Sequence, residues 1–220
     1  MQSEKITNPI GRRFDDACGL AHALDLIGER WAMLILRELA YGARRFSELK
    51  ADLPGISANV LTQRLTELEQ RGIVHKVRLP PPASVQVYEA TEWGREVAPI
   101  IGNLGKWAAR SPLHDPTLPM SPVAVMMSLE TLFSPERAAG LSARVGFRFG
   151  ATGFVASIAD GRLTVERTEP VDCALTFSGS SSDVAAVIHG SAPFEAIDLQ
   201  GDMALARRFV TLFPLPPKAG

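Results

Sequence analysis

Cysteine is scarce in this 220-residue chain: there are two, Cys18 and Cys173, far apart. Two distant thiols make no disulfide framework, and no Cys-x-x-Cys pair suggests zinc. Long apolar runs are missing too. Nothing reaches 18 consecutive apolar residues, and the N-terminus has no apolar signal core. The chain therefore reads as cytoplasmic, with reduced thiols and no membrane partner. Net charge is −1, which argues against a generally basic nucleic-acid coat but leaves local patches open. Gly-x-Ser-x-Gly, His-Glu-x-x-His and a phosphate-cradling glycine loop are all absent. The four histidines, His22, His75, His114 and His189, are scattered. The expectation is a protein that is not an enzyme and takes no cofactor and no metal.

What is present is an ordinary globular composition, 46% hydrophobic and 21% charged. The length suits one large domain or two small ones. The clearest boundary is SPLHDPTLPMSP, Ser111 to Pro122, with four prolines in twelve residues. Proline lacks a backbone donor and disfavours helix in the residue before it. The reading is a first domain over 1–110, a linker over 111–121 and a second domain over 122–220. Residues 1–110 carry 15 basic and 13 acidic side chains, and 111–220 carry 8 and 11. Between Arg44 and Arg78 there are 7 basic and 4 acidic residues, a mild local bias.

The first half reads mostly as helix. Leu20, Ala23, Leu24 and Ile27 share a face at helical spacing, and Gly28 interrupts it. RWAMLILRELAYG is an apolar helix closed by Gly42. ARRFSELKADLPG gives one or two turns, stopped at Pro54-Gly55. Ser57 is an N-cap candidate for a helix running to Arg71, with Leu61, Leu65 and Leu68 as its buried stripe. Ile73 to Leu79 and Val85 to Glu89 alternate as strands, and the prolines at 80 to 82 stiffen the tip of the hairpin. Thr91 caps a further helix to about Ala109. Trp31 and Trp107 read as core or dimer-interface packing.

Helix, helix, turn, helix, two-stranded wing, helix is the order of a winged helix-turn-helix. If the leucine stripe faces inward, the opposite face carries Ser57, Asn59, Thr62, Gln63 and Thr66, small and hydrogen-bonding near the N-terminal end. Such residues reach base edges, and Asn and Gln can contact adenine with both ends of the amide. Arg44 and Arg45 suit phosphate, and Lys76 and Arg78 on the wing suit phosphate or the minor groove.

The linked pieces Cys18, LDLIGERW, RFSELK, LPGIS, LTQRLTELE and GIV, followed by WGREVAPIIGNLGKWA, resemble the HxlR family of winged helix-turn-helix transcriptional regulators over about Phe14 to Arg110. The resemblance implies a homodimer, formed through the flanking N- and C-terminal helices, that binds double-stranded DNA as a repressor or activator. The family's wing usually ends in a YxLTxxG pattern. Here it is YEATEWG, a mild departure that leaves the wing intact. Cys18 stands where many such proteins carry an N-terminal cysteine, which in some senses oxidants or electrophiles. A sensor thiol needs thiolate character and access. A nearby helix start favours this, and Asp15 and Asp16 oppose it.

The second half reads as α+β, with helices and an antiparallel sheet. Val123 to Phe133 is a helix, and SPER at Ser134 starts another. ARVGFRFG alternates, GFVASIADGRLTVERTE gives two strands around Asp160-Gly161, and DCALTFSG is a further strand. Ser182 opens a helix, and Met203 to Phe213 closes the chain with one. From Met120 onward the order resembles the sterol-carrier-protein-like fold, in which a piece such as LQGD leads into a final helix. That fold is known for cavities holding lipid-like molecules, so the resemblance implies a small apolar effector. Phe147, Phe149, Phe154, Ile158 and Phe177, with Val165 and Leu175, are the inward-facing candidates, for a cavity or for a solid core. The chain thus reads as a homodimeric regulator on a pseudo-palindromic operator, modulated by such an effector. The alternatives are a lipid carrier whose winged helix only dimerises, and a redox-sensing repressor using Cys18.

Overall fold

The computed structural model describes residues 14–219, so the first thirteen residues of the expected first domain and Gly220 lie outside the described residues. The chain divides into two compact units, one running to Ala98 and one from Pro99 onward.

The first unit contains α1 (Gly19–Ile27), α2 (Ala32–Glu38), α3 (Phe46–Asp52), α4 (Ala58–Gln70), a hairpin of β1 (Val74–Arg78) and β2 (Gln86–Ala90), and α5 (Glu92–Glu96). The strands pair antiparallel, Val74 opposite Ala90 and Arg78 opposite Gln86. The expected stripe is the core: Leu61, Leu65 and Leu68 are buried with Ile35, Leu36, Leu49, Leu53 and Ile56. The N-caps fall where the hydroxyls predict. Ser57 Oγ accepts from the Val60 N–H at 3.2 Å. Thr91 Oγ1 accepts from the Gly94 N–H at 3.0 Å and donates to the Gly72 carbonyl at 2.9 Å, so it holds the end of the wing against the end of α4.

The single helix expected from Thr91 to Ala109 is two. It breaks at Val97 between α5 and α6 (Ala98–Ala108), because Pro99 has no N–H to continue the ladder and its ring crowds the preceding turn. The break coincides with the division between the units. α6 therefore belongs to the second unit, although the proline-rich segment that the sequence suggested as the boundary comes after it.

The second unit continues with α7 (Pro122–Leu132), β3 (Ala143–Phe149), β4 (Thr152–Ala159), β5 (Arg162–Glu166), β6 (Leu175–Ser178), α8 (Ser181–Ile188), β7 (Asp198–Gly201) and α9 (Met203–Val210). α6 meets α7 closely: a Cβ on Gly102 would come within 2.4 Å of Thr131 Oγ1. The SPER segment is a run of turns rather than a helix, ended by Gly140 at φ +68°. Among the described residues the sheet has five strands, ordered β5-β4-β3-β6-β7. It is mixed, not antiparallel as expected, since β3 and β6 run parallel. The chain after β5 crosses the outer face of the sheet before entering β6. Gly153 and Gly146 lie under this strap, where a Cβ would come within 2.6 Å of the Thr168 carbonyl or of Pro170. The β4–β5 turn at Asp160 (φ +50°) and Gly161 (φ +70°) has both residues left-handed, as a tight hairpin needs.

The inner face is an aromatic stack. Phe147 lies 5.4 Å from Phe177, Phe177 5.7 Å from Phe209, and Phe209 4.9 Å from Phe213, centre to centre. Phe177→Ala is expected to cost the second unit about 3–5 kcal/mol. Val171→Ala, at a 61% exposed position, should stay within about 0.5 kcal/mol. Denaturant unfolding of the two variants checks the contrast.

Candidate nucleic-acid interface

α4 is set by what its inner face buries. With Leu61, Leu65 and Leu68 turned in, Ser57, Asn59, Thr62, Gln63 and Thr66 are all exposed and fall along one edge. Arg71, just after the helix, donates from Nη1 to the Leu26 carbonyl at 2.7 Å and ties this end to α1. Arg64, in the middle, lies 3.1 Å from Glu29 and pairs with Glu67. The helix is held along its length, and its outer edge is small and polar. That edge is the size and chemistry a major groove admits.

The basic residues expected at the backbone of DNA separate. Arg45 is exposed at the start of α3, where its own N–H donates to Glu48 Oε2 at 2.8 Å. Arg78 is exposed at the outer end of β1. Lys76 leans back, with Nζ 3.3 Å from Glu69 and 5.8 Å from the centre of the Tyr88 ring. It can reach a phosphate only by leaving Glu69, a small cost for an exposed pair.

Arg44 overturns its assignment. Its side chain is 5% exposed, and its guanidinium is taken up inside the unit. Nε lies 3.3 Å from Glu48, Nη2 pairs with Asp52, and Nη1 is 3.9 Å from the fully buried Glu38. Its backbone exchanges both hydrogen bonds with Tyr88 of the wing, at 2.9 and 2.8 Å. Arg44 joins α2, α3 and the wing and does not face outward. Sequence did not separate it from Arg45, because the carboxylates that claim it lie six residues before and four and eight after, and only the fold brings all three to one guanidinium. Glu67 and Arg64 were also passed over. The clue was Gln63 and Glu67 standing one turn apart.

Cys18 precedes α1 and is exposed. Its sulfur makes no capping hydrogen bond, but the backbone N–H groups of Leu20 and Ala21 face it and hold the thiol below its usual range. Burial pushes Cys173 the other way. The ligand candidates come together in the second unit and pack on one another. Phe147 and Phe177 stack on each other, Phe149 and Phe154 meet edge to face at 6.1 Å, and Ile158 is 1% exposed.

A helix held by a leucine stripe, a preceding helix joined to it by a tight turn, and a wing locked to both define a winged helix-turn-helix of the DNA-binding class, followed by a separate sheet unit. A sequence model described as HxlR-like helix-turn-helix matches residues 26–114. The chain is 42% identical over 86 residues to the "Uncharacterized HTH-type transcriptional regulator YvaP" of Bacillus subtilis, covering 39% of this chain and 80% of that protein. It is 37% identical to the "HTH-type transcriptional regulator YodB" of the same organism, over 39% of this chain and 77% of that one. The solved structure of reduced YodB aligns with 46% of this chain and all of its own, at 33% identity and a TM-score of 0.40. The chain belongs to the HxlR-like helix-turn-helix family.

Arg44→Ala is expected to destabilise the first unit by about 3–5 kcal/mol, because it removes the buried cation on which Glu48, Asp52 and Glu38 converge, although Glu38 keeps Arg37 at 2.7 Å. Arg45→Ala should unfold like the parent protein. Thermal unfolding of the two variants separates a frame residue from a surface one.

Proposed function

We propose that the chain is a DNA-binding transcriptional regulator that binds a pseudo-palindromic operator as a homodimer. The observation that carries this reading is the exposed edge from Ser57 to Thr66 on a helix whose other faces are fixed. Asn59, Thr62, Gln63 and Thr66 read bases, and Arg45, Arg78 and Lys76 take phosphates. Dimerisation is supported by apolar side chains left exposed on two helices, Leu20 and Leu24 of α1, and Ile100, Leu104 and Trp107 of α6. Two copies of α4 would then enter successive major grooves about 34 Å apart. In this reading the second unit, whose sequence from Met120 onward resembles the sterol-carrier-protein-like order, senses a small apolar effector. Such an effector shifts operator affinity only by binding one state better than the other. The protein acts in the cytoplasm; among the described residues no helix is long and apolar enough to cross a membrane.

The purified chain should bind DNA from upstream of its own gene more tightly than unrelated DNA, with a steep salt dependence. Arg45→Ala should lower the salt slope by about one unit, the loss of one phosphate contact. Gln63→Ala should weaken specific binding more than non-specific binding. Equal, weak binding to both DNAs would contradict the reading.

A second reading is favoured by the position of Cys18. Its exposure and the two N–H groups facing it suit a thiol that modifies early and releases DNA. Near neutral pH, iodoacetamide should alkylate Cys18 several-fold faster than Cys173, as followed by mass spectrometry. Release of DNA by a mild quinone, abolished in Cys18→Ser, would support a sensing role. Unchanged release in that variant would remove it.

A further inference from the structure

Gln63 does not stand alone on the exposed edge of α4. Its Nε2 donates to Glu67 Oε1, one turn further on, at 2.9 Å. The other carboxylate oxygen of Glu67 accepts from Arg64 Nη1. Arg64 Nη2 in turn lies 3.1 Å from Glu29 Oε2, in the segment between α1 and α2. Arg64 is 14% exposed and Glu67 22%, whereas Gln63 is open to solvent. The contacts run outward from the frame of the unit to the amide.

Chemistry fixes which way the amide points. A carboxylate ion-paired to Arg64 has only acceptors to offer. The end of Gln63 turned toward Glu67 must therefore be the N–H end. A flipped amide would set its carbonyl against a carboxylate oxygen and lose the hydrogen bond. One N–H of Gln63 is thus engaged, and the carbonyl oxygen and the second N–H remain for a ligand, in a set orientation. In the major groove adenine shows a donor, N6–H, beside an acceptor, N7. Guanine shows two acceptors, O6 and N7. A carbonyl next to an N–H matches adenine. Guanine would place its O6 against the carbonyl, and to meet it the amide would have to flip away from Glu67.

We infer that Glu67, braced by Arg64, is a positioning residue that orients the Gln63 amide to accept adenine and to reject guanine. The inference rests on the reading of α4 as the base-reading helix. The carboxylate reaches no base itself; it acts through Gln63. Its negative charge is offset by Arg64, so its place beside a DNA-facing edge does not leave a bare charge opposed to phosphate.

The test is selection from random duplex DNA by the full chain, carried out in parallel for the parent protein, Gln63→Ala, Glu67→Gln and Glu67→Ala. Thermal unfolding of each variant accompanies it. The parent should select adenine at one position of each half-site, and Gln63→Ala should lose the preference there while keeping the rest of the sequence. Glu67→Gln can pair with either end of the Gln63 amide, so its adenine-over-guanine preference should fall about fivefold or more, with unfolding unchanged. Glu67→Ala should fall likewise. A merely structural Glu67 would weaken all positions alike and leave the preferred base the same. If both Glu67 variants keep the parent's adenine preference while Gln63→Ala loses it, the inference is overturned and the base-reading role of Gln63 stands. If Gln63→Ala keeps the parent's selected sequence, or the parent enriches none, the underlying reading falls with it.

Discussion

The first unit is organised around one buried cation. Arg44 sits where α2, α3 and the wing meet, and three carboxylates from two helices converge on it. A guanidinium is costly to take out of water, and the cost is offset only by good geometry and several partners. Arg44 has both, and its backbone adds two hydrogen bonds to Tyr88. The wing is consequently held at a defined place relative to the helices before it. The leucine stripe does the same for α4, and Thr91 closes the far end by reaching back to Gly72. A groove-reading edge is useful only if its geometry exists before DNA arrives, because ordering it on binding would cost affinity.

The second unit solves a different problem. Its core is a contiguous set of rings, which excludes water efficiently and takes up the apolar residues of the strands. Its outer face is covered by the strap over Gly146 and Gly153. α6 packs against this unit through Gly102, and its far end is tied down by the C-terminal segment, where Lys218 Nζ donates to the carbonyls of Ala109 and Ser111 at 3.1 Å. The helix that closes the family's sequence pattern is therefore built into the sheet unit.

Features set by neighbours in the chain were legible from the sequence. The hydroxyl caps at Ser57 and Thr91, the spacing of Leu61, Leu65 and Leu68, and the Asp160-Gly161 turn each express a local rule. So did the exposed edge of α4, since fixing the stripe fixes its opposite. What was not legible depended on contacts between distant residues. Arg44 and Arg45 are identical in type and adjacent, and only folding shows which one the carboxylates capture. The parallel pairing of β3 and β6 depends on the route of the strap, which no alternation records. The break at Val97 was within reach, because Pro99 forbids a continuous helix, but the apolar periodicity across it masked the signal. The candidate ligand residues were correctly read as inward-facing. Periodicity cannot tell a filled interior from a hollow one, and the ring-to-ring distances show these side chains packed on one another.

Whether α4 enters the major groove with the Ser57-to-Thr66 edge leading is decided by a structure of the full chain bound to a DNA duplex enriched by selection. Asn59, Thr62 and Gln63 should lie at base edges, Arg45 and the wing on the phosphates, and Arg44 still buried among its carboxylates. A complex in which α4 faces away from the duplex, with DNA held by any other element, would contradict this placement.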